Sequence, residues 1–149
     1  MLLDPGSIAE VAESAVDAML AISPDDAMFV RSWWPHSACD VSAIVISQLL
    51  LDRGDDSWRV VTAESETRRA AHTWLERRND SGEVEFSIDV TLHQFAWITD
   101  KPFYGAGESP ARQHFTRITY DYPAPSVPWI GTEDQVHLTT LRQVRALMT

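Results

Sequence analysis

The sequence predicts an α+β domain in which N-terminal helices pack on an antiparallel β-sheet. Three observations carry that prediction. Apolar residues recur at helical spacing only in the first third of the chain and at its C-terminus. The middle is a series of short alternating runs punctuated by Gly, Pro, Asn and Asp. Helices therefore come first and strands follow in succession, which suits an antiparallel sheet better than the alternating order of a parallel one. With 149 residues, 44% hydrophobic and 23% charged, the composition is that of a globular protein long enough to bury its own core. No repeat, low-complexity tract or linker divides it, so residues 1–149 read as a single domain.

Each element has its own signal. Ser7-Ile8-Ala9-Glu10 has the capping-box pattern, and Ile8, Val11, Ala15, Met19 and Leu20 recur at helical spacing, which predicts a helix from Ser7 to Ala21. Met28 to His36 is an aromatic strap in which Pro35 restrains Trp34 toward an extended conformation. Ser37 to Gly54 carries the strongest helical pattern. Ser37 is its expected N-cap, Gly54 its C′ stop, and apolar residues wrap most of its circumference, as in a central buried helix. Ser57 to Ala63 is a strand, Glu64 to Arg69 a polar loop, and Phe95 to Thr99 a further short strand. Asp100 to Arg112, with Pro102, Gly105, Gly107 and Pro110, is a loop. His114 to Tyr120 alternates as a strand, Tyr122 to Ile130 is proline-rich extended coil, and Thr132 opens a terminal helix.

Composition excludes several classes of function. A net charge of −10 repels nucleic acid, and no basic cluster with interleaved aromatics offsets it. No apolar run approaches the roughly 18 residues of a membrane span, and the N-terminus lacks a basic segment followed by an apolar core, so a cytoplasmic protein without membrane contact is expected. One cysteine with scattered His72, His93, His114 and His137 shows no metal-ligand spacing. Gly105-Ala106-Gly107 lacks the following helix that a phosphate loop needs. No metal and no cofactor is therefore expected.

The chemistry-bearing residues lie at two places. Ala71 to Arg77 and Glu83 to Val90 flank the turn-forming Asn79-Asp80-Ser81-Gly82, which predicts a β-hairpin. Centring its ladder on Asp80/Ser81 puts Leu75 opposite Phe86 and Thr73 opposite Ile88 on one face, and His72 opposite Asp89 on the other. Cross-strand neighbours are about 4.5–5.5 Å apart at Cβ, so a carboxylate there can orient an imidazole, although the two could equally form a surface pair of little energy. Cys39 is the second place. As the only cysteine it cannot form an intrachain disulfide, and it is either a buried small hydrophobe or a reactive thiol. In the first turn of a helix, free N–H groups and the positive dipole end stabilise a thiolate and can receive an oxyanion.

These segments resemble a known family. Cys39-Asp40-Val41-Ser42 through Leu49-Leu50-Leu51-Asp52-Arg53-Gly54 is similar to the Cys-x-x-Ser…Leu…Gly helix of the transglutaminase branch of the papain-like superfamily. His72-Thr73-Trp74-Leu75-Glu76 resembles its His-Ala-Trp-Val-Glu strand. Ile88-Asp89-Val90-Thr91 with Gln94-Phe95 resembles the Asp-x-Thr-x-x-Gln-Phe ending of small bacterial proteins of this type. The likeness runs from Trp33 to Phe95, in the same order as in the family. It implies a papain-like fold with a transglutaminase-like core and a Cys39–His72–Asp89 triad working through a thioester on a polypeptide or amide substrate, in the manner of a peptidase, amidase or deamidase. The acidic charge favours a basic or neutral substrate. Leader-peptide peptidases and arylamine acetyltransferases of this branch share the order of the three residues. Where many members have a small or glycine-containing turn before the nucleophile, this chain has Trp34-Pro35-His36-Ser37-Ala38. The expected oxyanion donors are the backbone N–H of Cys39 and one of Trp33, Trp34 or Gln94, and His36 is a second candidate base. The contrasting reading is a non-catalytic module of the same fold whose cleft binds a protein or peptide partner.

Overall fold

The computed structural model describes residues 2–22, 34–126 and 131–148. Among them are three α-helices, α1 (Pro5–Ala21), α2 (Cys39–Asp52) and α3 (Gly131–Met148). Five strands, β1 (Trp58–Glu64), β2 (Ala71–Arg78), β3 (Val84–Asp89), β4 (Phe103–Ala106) and β5 (Arg117–Pro123), form one antiparallel sheet in the order β4-β3-β2-β1-β5. The architecture is α+β. The three helices pack on one another, and α2 lies against β1, β2 and β3. No helix among the described residues is long and apolar enough to cross a membrane. Most of the expected strap from Met28, and the coil after Ser126, fall outside the described residues.

Both helix starts differ from expectation for local reasons. Asp4 caps α1, accepting the Ser7 N–H at 2.8 Å. Pro5 follows it as the first helical residue, where its fixed φ and missing N–H cost nothing. Ser7 is thus a donor inside the first turn and not the cap. At α2, Ser37 has φ 59° in the left-handed region, whereas a capping side chain needs an extended backbone beneath it. Ala38 occupies the cap position, and no side chain caps the helix. The other end follows the prediction. Gly54 has φ 85°, its N–H bonds Leu51 O at 2.9 Å, and the Asp55 N–H bonds Leu50 O at 3.0 Å, the Schellman pattern.

Strand alternation divides the core in two. Trp58, Val60, Leu75 and Ile88 point to the helices and join Val45, Ile46 and Leu50 of α2. Val61, Ala63 and Trp74 point the other way and bury against Leu92, Ala111 and Phe115. Both faces of the sheet are therefore covered, and six consecutive β2 residues, His72 to Arg77, are buried.

The β2–β3 hairpin forms with a different register. Leu75 pairs with Ile88, Glu76 with Ser87 and Arg77 with Phe86. Two one-residue steps separate this ladder from the expected one. Asn79 N–H bonds Glu83 O across a three-residue loop, Asp80 to Gly82, with Gly82 at φ 83°. A bulge then lies between the Arg77/Phe86 and Arg78/Val84 pairs. Each step alone would turn β3 over; together they restore the parity. Leu75, Phe86 and Ile88 still face the helices, but the continued ladder sets Asp89 across from Trp74, one diagonal step from His72.

Three further expectations fail. Phe95 to Thr99 is not a strand, because a 3₁₀ turn at Leu92–Gln94 leads into turns closed by Ile98 N–H to Phe95 O at 2.9 Å. The loop from Asp100 holds edge strand β4, paired with β3 from Phe86/Ala106 to Asp89/Phe103, and a 3₁₀ helix at Pro110–Gln113. The final strand begins at Arg117, three residues after the expected His114.

Leu75 is fully buried beneath α2 and Ile118 is 39% exposed on β5. Urea denaturation of Leu75→Ala should show a loss of about 2–5 kcal/mol, and of Ile118→Ala less than about 0.5 kcal/mol.

Candidate active site

His72 stands at the start of β2 with no solvent exposure, and Asp89 at the end of β3 is 1% exposed. His72 Nε2 and Asp89 Oδ1 are 2.6 Å apart. The diagonal placement is within reach of an imidazole and a carboxylate, so the shifted register still delivers the bond. With Nε2 donating to Asp89, the nitrogen left for chemistry is Nδ1. Asp89 is held from its other side, where Oδ2 accepts from Ser109 Oγ at 2.7 Å. Ser109 is fixed in turn: its N–H bonds Ser87 Oγ at 3.1 Å, and its Oγ accepts the Ala111 N–H at 3.1 Å.

Aromatic rings close the space around the imidazole. Trp74 stacks at 5.7 Å between centroids, Phe95 meets it edge-on at 5.0 Å, and Phe115 lies at 5.6 Å. Burial opposes the charged imidazole. The charge and hydrogen bond of Asp89, with a hydrogen bond and charge from Cys39, outweigh it and raise His72 from 6.5 to about 9. His72 is therefore an imidazolium at neutral pH, with one N–H committed to Asp89.

Cys39 is the first residue of α2, partly exposed, and its thiol lies close enough to His72 to help raise the imidazole. The uncapped helix start matters here. Among the described residues no side chain takes the first-turn N–H groups beside the sulfur, which leaves them available to a ligand. The three residues singled out for catalysis thus come together from α2, β2 and β3.

The candidates for the oxyanion site separate. Gln94 is brought back over the imidazole by the 3₁₀ turn after β3, its Nε2 lying 3.4 Å from His72 Nδ1 and 3.2 Å from Thr91 Oγ1. Trp34 is half-buried against the helix-side core and walls a cavity of about 290 Å³ with Val90, His93 and Tyr104, which none of Cys39, His72 and Asp89 lines. Trp33 lies outside the described residues. His36 is exposed. It sits toward His93, whose imidazole burial holds below its ordinary value, with Asp89 opposing and His36 adding to the effect. No group of three or more His, Cys, Asp or Glu among the described residues is placed to hold a metal.

Ser109 is the site residue that the sequence reading missed. Ser109-Pro110 signals the start of a turn, yet only the pairing of β4 with β3 carries that turn back to Asp89, and β4 lies in a stretch that reads as loop. Phe95 and Phe115 were read as strand residues and serve instead to seal the imidazole.

Between pH 6.5 and about 9 the folded chain keeps a proton on His72 that the unfolded chain releases. This contribution to stability is complete below the lower value and is lost as pH rises toward the upper one, a change of up to about 3 kcal/mol. Chemical denaturation across that range should show the decline, and Asp89→Asn should flatten it. No family model matches the chain, and no curated protein or solved structure matches it either.

Proposed function

We propose that the chain is a cysteine-dependent acyl-transfer enzyme, a peptidase, amidase or deamidase, built on a papain-like fold with a transglutaminase-like core. One observation carries this reading: a wholly buried imidazole bonded through Nε2 to a buried carboxylate, with the thiol of Cys39 against it at an uncapped helix start. A stabilising salt bridge needs neither the thiol nor the open helix end. The motifs around Cys39, His72 and Asp89 agree with it, as does the order of the three residues.

The chemistry follows from the positions. Cys39 attacks the substrate carbonyl carbon as its thiolate, with the His72 imidazolium beside it. The developing oxyanion is received by the Cys39 backbone N–H, with Gln94 Nε2 as second donor. His72 passes its Nδ1 proton to the leaving nitrogen, which departs as an amine or as ammonia, and a thioester remains on Cys39. Water or an acceptor amine then attacks the thioester, His72 takes the incoming proton, and Cys39 leaves as thiolate. Asp89 holds the imidazole in one tautomer throughout, and Ser109 holds Asp89. Substrates would be neutral or basic polypeptides or amides, given the net charge of −10, and a free thiol nucleophile suits the reducing cytoplasm.

Because Cys39 is the only cysteine, iodoacetamide labelling of native protein followed by mass spectrometry reads this site alone. Rapid modification at pH 6 is expected, where an ordinary thiol of pKa about 8.5 is mostly protonated. His72→Ala should slow it at least about tenfold. Labelling that begins only above pH 8, or none in native protein, overturns the enzyme and leaves a binding module. Ser109→Ala removes one neutral-to-carboxylate hydrogen bond worth about 1–2 kcal/mol, and the labelling rate at pH 6 should fall about 3- to 10-fold without being abolished.

A further inference from the structure

Cys39 and His72 are not the only pair of neighbours at the meeting of α2 and β2. The next residue of each element is also joined: Thr73 Oγ1 donates to Asp40 Oδ1 at 2.5 Å. Thr73 Oγ1 is in addition 2.8 Å from Thr62 Oγ1, on β1 directly across the ladder. Proton bookkeeping sets the direction of this chain. The single Thr73 proton goes to the carboxylate, so the Thr62 hydroxyl must donate to Thr73. Two hydroxyls from adjacent strands thus line up behind one carboxylate in the first turn of α2. The same carboxylate oxygen lies 4.0 Å from Cys39 Sγ.

Among the described residues, this is the one side-chain hydrogen bond from the first turn of α2 to the sheet beside the Cys39–His72 pair. The helix has no side-chain cap, Ala38 before it offers only backbone, and Ser37 is turned away at φ 59°. Asp40 is itself exposed and Thr73 buried. The bond is therefore anchored on the sheet and reaches out to the helix. A helix end held by apolar packing alone can slide or fray by a fraction of an ångström, and that is enough to lose a nucleophile–base contact.

The geometry points to Asp40 and Thr73 as positioning residues that clamp the first turn of α2 onto β2 and so set the contact of Cys39 Sγ with His72, with Thr62 as the backing hydroxyl. This rests on the catalytic reading of Cys39 and His72 and adds to it what holds them in place. The carboxylate is used as an acceptor. The groups facing the sulfur are His72 from β2 and Asp40 beside it, whose Oδ1 accepts from the thiol at 4.0 Å. Asparagine, which keeps an acceptor oxygen, should therefore replace Asp40 where alanine cannot.

The test is the pH profile of Cys39 alkylation by iodoacetamide, measured from pH 5 to 9 on the full chain and its variants, with thermal unfolding recorded alongside. Thr73→Val keeps the shape and removes the hydroxyl; Asp40→Ala removes the acceptor. In both, labelling at pH 6 should fall at least about tenfold and the rise should move toward the range of an ordinary thiol, while unfolding stays cooperative. Thr73→Ser should restore the wild-type profile, and Asp40→Asn should keep the labelling at pH 6 within about threefold of wild type or above it. A stabilising contact alone would lower the melting temperature and leave the profile where it was. Unchanged profiles in Thr73→Val and Asp40→Ala, with wild type reactive at pH 6, overturn the clamp and leave the triad standing. A wild type that labels only above pH 8 overturns the triad and the clamp with it. Should either variant fail to fold, Thr73→Ala or Asp40→Leu, which remove the same groups with other packing, takes its place and is read the same way.

Discussion

The structure depends on an ion pair that its core does not need. His72 and Asp89 meet at 2.6 Å with both side chains excluded from water. Withdrawing two such charges from solvent costs several kcal/mol each, and the attraction between them repays this only when geometry and remaining hydrogen bonds are good. An apolar pair of similar volume would serve stability as well or better. The surrounding chain is accordingly arranged to meet the cost. Ser109 occupies the second carboxylate oxygen, and three aromatic rings keep water from weakening the bond.

That arrangement reaches further than the pair. Trp74 stacks on His72, and its indole N–H is held at 2.9 Å by Glu76, itself fully buried. Arg112 closes on Glu76 through two bonds, at 2.7 and 3.0 Å, and Arg78 adds a third partner that also reaches Asp121 on β5. Burial opposes the Glu76 charge, and the hydrogen bonds from Arg112, Arg78 and Trp74 outweigh it and hold the carboxyl below its usual range. Arg112 belongs to the 3₁₀ helix that follows Ser109. The same short segment therefore carries one anchor to Asp89 and another to Glu76. A second buried charge network braces the loop that completes the first.

What could be read from the sequence was what local signals specify. The periodicity of α2, its Gly54 stop and the period-2 alternation of β2 and β3 are properties of a few neighbouring residues, and they placed Cys39, His72 and Asp89 on the right elements. Parity survived the wrong register because the three-residue loop and the bulge each add one residue, and two steps bring the same side chains back to the same face. Ser37 failed as a cap because its backbone turns left-handed, which nothing in its neighbours announces. Strand β4 and the roles of Phe95, Phe115 and Ser109 were illegible for a different reason. Their conformations are decided by contacts with residues distant in the chain, and tertiary packing overrides what Pro102, Gly105 and the aromatic run at Phe95 suggest locally.

The two ends of α2 are held by different means. At the C-terminus every device is present: Gly54 in the left-handed region, two bonds to the Leu50 and Leu51 carbonyls, and a two-bond pairing of Asp52 with Arg145 of α3. At the N-terminus the cap is missing, at a cost of about 1 kcal/mol for a helix of this kind. A side-chain cap would take up N–H groups beside Cys39 and compete with any oxyanion for them. Asp40 is in the right turn to offer a carboxylate to the helix, yet Thr73 draws it to the sheet instead. The helix is thus secured sideways, onto β2, while among the described residues no side chain caps it along its axis.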